Sequence, residues 1–253
     1  MAMKQAKPLY VEVLIRADQE LLWQRTQEPA QHQRWDLRFT EIDFLPRPSP
    51  DEPQHFRYAT RVLPFVTVSG TGISAGERHR PDGTRTSALR FASAHPLSLL
   101  AQGSGYWRYV PTADGIRFAT GYDYRTRWGR FGAVADRFVF RPLMGWATAW
   151  SFDRLRLWLE RGTSPARLLG RAVGELAART AVAVLAVVLA GSGPALAVHV
   201  DALAGGAPVL AAVLLAAAVL LPPLPGTPAA RRCLRTTSAP PRTPSILATL
   251  EPR

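Results

Sequence analysis

The chain has 253 residues, 47% hydrophobic and 20% charged, with a formal net charge of +12. That length leaves room for one domain of ordinary size and an appendage, and that apolar fraction excludes a disordered protein. The excess charge is almost wholly arginine, dispersed along the chain rather than gathered with aromatics on one surface, so nucleic acid is not the expected partner, and the single cysteine, Cys233, excludes a disulfide framework.

Before strand-like alternation begins there is no apolar run of signal-peptide length, so no secretory signal is expected. Residues 9–17 alternate, with Val11, Val13 and Ile15 on one side, as a half-buried strand does. Asp18 caps a short helix over 18–27, and Pro29 opens a second that ends near Trp35 and Asp36. Residues 39–45 alternate again, and the proline-rich 46–53 is a surface loop. Five further extended segments follow, over 54–63, 65–79, 84–94, 97–110 and 115–128, with turn signals between them at hairpin spacing. On the last of these Ile116, Phe118, Thr120, Tyr122 and Tyr124 share the inward face, and their hydroxyls need partners or an occupied cavity.

Residues 129–162 read as one long helix bent at Pro142. Phe131, Val134, Phe138, Trp146, Ala149, Phe152 and Leu155 lie near the spacing of one face. After a break at Thr163, Ser164 and Pro165, residues 163–178 form a basic linker helix. Two uncharged runs then flank Asp201, each long enough to span a bilayer, which takes about 20 residues. Spans over roughly 179–199 and 204–221 are expected, with Arg179 at the edge of the first and a kink near Gly191 to Pro194. Arginines at both ends of this hairpin place both ends in the cytoplasm, and residues 222–253 are expected to be a disordered tail in which Cys233 could carry a lipid.

This order of elements, together with Val11-Glu12-Val13, Leu22-Trp23, Arg34-Trp35-Asp36 and the run Ala149-Trp150-Ser151-Phe152-Asp153-Arg154-Leu155, resembles the SRPBCC superfamily over residues 1–162. The superfamily includes START lipid-transfer domains and polyketide cyclases. The resemblance implies an α+β helix-grip fold, a curved antiparallel sheet of six to seven strands wrapped around a long C-terminal helix. It also implies binding of a hydrophobic small molecule or lipid under that helix. By position, Trp35, Phe39, Tyr58, Phe91, Tyr109, Tyr122, Tyr124, Phe138 and Trp146 are the residues expected to line the cavity. A cyclase-like enzyme on an aromatic substrate and an interaction module with a closed cavity are the other readings. Asp36, Asp123 and Asp136 are the acids an enzyme could use, but no catalytic constellation, metal-ligand spacing, phosphate loop or cofactor motif is present. The sequence carries no signal of an oligomeric state.

Overall fold

The computed structural model describes residues 8–47, 49, 52–197 and 201–236. Two compact units form: one runs to Pro165 and resumes at Ala229, and the other is Ala166–Pro228.

The first unit is α+β. Strand β1 (Leu9–Ile15) leads into α1 (Gln19–Gln27), whose first turn is capped by the Asp18 carboxylate accepting from Leu21 N–H at 2.9 Å, and α2 (Pro29–Trp35), opened by proline. Then come β2 (Glu41–Phe44), β3 (His55–Leu63), β4 (Val66–His79), β5 (Arg85–Ala92), β6 (Leu100–Thr112) and β7 (Gly115–Thr126). All seven strands form one antiparallel sheet in the order β1-β7-β6-β5-β4-β3-β2. Only β1 is out of sequence order. It pairs with β7 from Leu9↔Tyr122 to Ile15↔Ile116, so the first and last strands lie together beneath the helices. Val11, Val13 and Ile15 are buried there beside Ile116 and Phe118, against Phe152 and Leu155 from the long helix.

The expected helix over 129–162 is present, but it is not uniform. Helix α3 (Gly129–Ala135) passes through a π turn (Asp136–Phe140) into α4 (Arg141–Arg161), and Arg141 N–H bonds back five residues to the Asp136 carbonyl. Pro142 explains the position of this turn: its ring would clash with the carbonyl four residues earlier, and the wider turn relieves that contact. The extra residue rotates the first half of the helix by about 100° relative to a continuous α-helix. Gly132 and Asp136 therefore face inward, while Phe131 and Phe138 are 71% and 68% exposed. From Ala149 onward the phase expected from sequence holds, with Ala149, Phe152 and Leu155 buried, whereas Trp146, expected on that face, is 44% exposed.

Residues 229–234 were expected within a disordered tail, and they pack on the domain instead. Asp153, fully buried on α4, accepts from Ala229 N–H at 2.8 Å and pairs with Arg232 at 2.9 Å. Leu234 forms an antiparallel bridge with Glu12 on the free edge of β1. Arg156 of the same helix engages one oxygen of Asp153 at 2.7 Å, and the returning chain satisfies the other, which burial would otherwise make costly. Cys233 is buried with its thiol on the Ala149 carbonyl, and burial pushes its pKa up to about 12, so it is not a lipid-attachment site. Residues 237–253 of that expected tail lie outside the described residues.

The second unit is a helical hairpin of α5 (Pro165–Ala197), whose first residue still belongs to the first unit, and α6 (Asp201–Leu220). The expected linker helix and first span are one continuous helix, which runs on through Gly191 and Pro194. At the base of the hairpin the Arg179 guanidinium donates to the carbonyls of Ala218, Leu221 and Pro222 at 2.8 to 3.0 Å, and it pairs with Glu175 at 2.7 Å. Those are the orphan carbonyls that a helix leaves at its C-terminal end. Residues Pro165–Gly191 form one helix long and apolar enough to cross a membrane, and the apolar stretch of α6, Gly206–Leu220, is shorter.

Candidate functional site

The inner face of the sheet is built from an alternation that only the strand register reveals. Phe56 lies opposite Gly72, Gly72 opposite Phe91, Phe91 opposite Gly103 and Gly103 opposite Tyr124, so one straight row crosses β3 to β7 as aromatic, glycine, aromatic, glycine, aromatic. The Phe56 ring occupies the space a side chain on Gly72 would need, and a Cβ on Gly103 would come within 2.6 Å of the Phe91 ring. One row away Tyr58 covers Gly70 in the same manner. Each ring lies flat because its neighbour has no side chain, which turns a pleated surface into an aromatic floor. Phe39 stands against Tyr58 with centroids 5.7 Å apart. Phe39, Phe56, Tyr58 and Phe91 are all only partly buried. Helix α4 packs chiefly against β1, and α3 against β7, so the helices sit at the opposite side of this face.

The nine residues expected at the cavity divide into four groups. Phe39, Tyr58, Phe91 and Tyr124 belong to the floor or its border. Trp35 and Tyr109 are fully buried core residues. The Trp35 indole donates to the Arg25 carbonyl at 2.9 Å, and the Tyr109 hydroxyl meets Thr26 at 2.7 Å and Gln27 at 2.9 Å, which answers the demand a buried hydroxyl makes. Tyr122 is bound to the helix through Thr148 at 3.0 Å. Phe138 and Trp146 point away from the sheet, the latter 44% exposed, and they do not line it. Phe56 was missed. Its signal was present in Gly70 and Gly72, two glycines on one face of a strand.

Two buried ion pairs flank the floor. Arg38 forks onto Asp36 at 2.9 and 2.6 Å, and His32 reaches the same carboxylate at 3.0 Å. Burial opposes the charge on Asp36, but Arg38 and His32 overcome it and hold the carboxyl well below the usual range. Burial also lowers the His32 pKa, only partly countered by Asp36, so the ring is neutral near pH 7. Arg38 lies 5.4 Å from the Phe39 ring and 5.7 Å from the Tyr122 ring. At the other side Tyr124 donates to Asp136 at 2.6 Å, and Arg141 completes that pair at 3.3 Å. Burial and then the Asp136 carboxylate raise the Tyr124 phenol, while burial alone pushes Tyr58 up to about 12, so both hydroxyls stay protonated.

A cavity of about 410 Å³ lies along this row: Gly72, Phe91, Gly103 and Tyr124 are in its lining together with their strand neighbours His55, Arg90, Ser104 and Asp123. Among the described residues no group of three metal-ligating side chains comes together.

No family model matches the chain. A curated relative, the uncharacterized membrane protein YndG of Bacillus subtilis (strain 168), is 48% identical over 168 residues, which cover 66% of this chain and 62% of the relative. The chain thus spans about six tenths of that protein's length. Among solved structures, the chain is similar to a STAR-related lipid transfer protein from Xanthomonas axonopodis, with 16% identity, a TM-score of 0.44, and 63% and 97% of the two chains covered. It is also similar to the Zhui aromatase/cyclase from Streptomyces, with 15% identity, a TM-score of 0.40, and 59% and 96% covered. A third is the human StarD13 lipid transfer and protein localization domain, with 15% identity, a TM-score of 0.42, and 60% and 75% covered. Likeness at this level carries no argument about what this chain binds.

Proposed function

We propose that this is a membrane-anchored domain that binds a hydrophobic small molecule or lipid against the aromatic floor of its sheet. The observation that carries the reading is the row Phe56, Gly72, Phe91, Gly103 and Tyr124. It keeps flat aromatic surface partly open where a domain built only for stability would fill the space with aliphatic side chains. The bordering Asp36–Arg38 and Asp136–Arg141 pairs give an otherwise apolar site two fixed polar margins. A cyclase-like reaction is less well supported, because both buried acids are already engaged by arginine.

The hairpin is the anchor, with two spans. Pro165, held through its carbonyl by Arg154 at 2.7 Å, and Ala229, held by Asp153, attach to adjacent residues of α4, so the chain leaves and re-enters the domain at one place. An even number of crossings satisfies that constraint, and the arginines flanking the hairpin favour the cytoplasm for both ends. The Arg179 clasp supports a base at that level, with α5 and α6 rising from it to similar lengths.

The test uses the full-length protein, because residues 229–234 are part of the domain. Purified in mild detergent and extracted with organic solvent, it should release a defined apolar molecule by mass spectrometry. Phe56→Ala/Phe91→Ala should carry several-fold less. Equal loading of the variant, or nothing but detergent from the wild type, would refute the binding reading. Release of the chain from membranes by alkaline carbonate would refute the anchor.

A further inference from the structure

One end of the sheet is apolar and free of carboxylates, and the other carries acids in its turns. The pairings Thr71↔Ala92 and Leu100↔Thr126 bring the β3–β4 turn, the β5–β6 connection and the β7–α3 junction to the same end. Ser93 donates to the Ser69 carbonyl at 2.6 Å and Arg127 N–H to the Leu99 carbonyl at 2.6 Å, which ties the three together. Each presents large apolar side chains to solvent: Val62 and Phe65 from the first, Leu97 from the second, Trp128 and Phe131 from the third, with Phe65 86% exposed. Residues 60–68, 93–99 and 126–135 contain no carboxylate; Arg61 and Arg130 are exposed there, while the Arg127 guanidinium turns inward onto the Ser93 carbonyl. At the opposite end the turns hold Asp18, Asp82 and Asp114, Ile15 and Ile116 are buried, and the exposed Phe44 and Leu45 share the β2–β3 connection with Glu52.

Trp128 sharpens the contrast. It is the one non-glycine residue among those described with positive φ, 66°, followed by Gly129 at 55°. A bulky residue in that region costs about 1 to 2 kcal/mol. The strain here holds an indole outward instead of into the core.

We propose that this end is a lipid-docking surface that inserts Phe65, Leu97, Trp128 and Phe131 into the interface of an anionic bilayer. Exposed aromatic and aliphatic side chains beside the exposed Arg61 and Arg130, without carboxylates, match the two components of such a surface, an apolar boundary beneath negatively charged headgroups. Separate loops contribute the apolar side chains, so insertion needs no unfolding of the sheet. The inference rests on the membrane reading above, and its test separates the two.

Single cysteines are introduced in the full-length protein as Phe65→Cys, Phe131→Cys, Asp114→Cys and Val187→Cys, the native Cys233 being buried and unreactive. Each is labelled with an environment-sensitive fluorophore and reconstituted into phosphatidylcholine–phosphatidylglycerol vesicles carrying an acyl-chain nitroxide. The labels at 65 and 131 should be quenched severalfold more than the label at 114. The label at 187, in α5, reports on the anchor. Quenching at 187 without quenching at 65 and 131 overturns the docking surface and leaves the anchor. Quenching at 65 and 131 without 187 does the reverse. Equal quenching at 65, 131 and 114 overturns the docking surface, as does a dry environment at 65 and 131 that persists in detergent without lipid, which would assign this end to a protein partner.

Discussion

A side chain at Gly72 would have to take the volume in which the Phe56 ring lies, and Gly103 stands in the same relation to Phe91. The glycines are therefore as much part of the floor as the rings. Gly72→Val should lower stability by about 1 to 3 kcal/mol through overpacking, read as a lower Tm of the full-length protein, and, under the proposed function, should reduce any apolar load as well. Asp36→Asn is expected to cost more, about 3 to 5 kcal/mol, since it strands the Arg38 guanidinium without its buried partner. The same cluster sets an acid limit. His32 has a folded pKa below its unfolded value of about 6.5. Its contribution is present above that pH and is lost as pH falls through it toward the folded value. Asp36, also depressed, adds a second loss below about pH 4. His32→Gln should remove the first phase of acid destabilisation and leave the second, measured as Tm against pH. The sequence showed the aromatics of the floor but not its glycines, because a glycine's meaning depends on the residue opposite it, and register is a long-range property.

At the level of elements, the strands were legible from alternation and turn residues, and their observed bounds fall within a few positions of those expected. The long helix was legible in extent and wrong in phase over its first half. A uniform 3.6-residue period projects Phe131, Val134 and Phe138 inward, and one π turn before Pro142 sends them out. Small Gly132, pressed against the backbone at Arg127, was the available sign that this part of the helix meets the sheet through a small residue. In the hairpin, Arg179 had been placed at the edge of a span from the cost of burying it, and it proves to cap the last turn of α6. Arg179→Ala should free those carbonyls and make residues 218–228 more sensitive to protease in detergent. Glu175→Ala should act in the same direction through the same clasp, so the double variant should add little to either one.

For the whole molecule, the sequence indicated two parts in series, a domain followed by an anchor. The structure interleaves them, because the domain is resumed after the hairpin. Nothing in the composition of residues 222–236, rich in proline and arginine, separates a free tail from one that docks. The difference lies in Asp153, whose buried carboxylate is met on one oxygen by Arg156 of the same helix and on the other by partners 76 and 79 residues further on. Asp153→Ala should release this segment, seen as faster tryptic cleavage at Arg231 and Arg232 with the helical content of the hairpin unchanged.

The Glu12–Leu234 bridge has a consequence in time. As the chain is made, β1 is among the first strands available, but its outer edge stays unsatisfied until more than two hundred further residues have followed, both hairpin helices among them. During that interval the edge is a template for other strands, the hazard that open sheet edges present. Closing so distant a contact is slow, so completion of the domain waits on the helical hairpin that precedes residue 229. A chain whose hairpin failed to place its two ends side by side would be left with an open edge, a marked state that quality control could recognise.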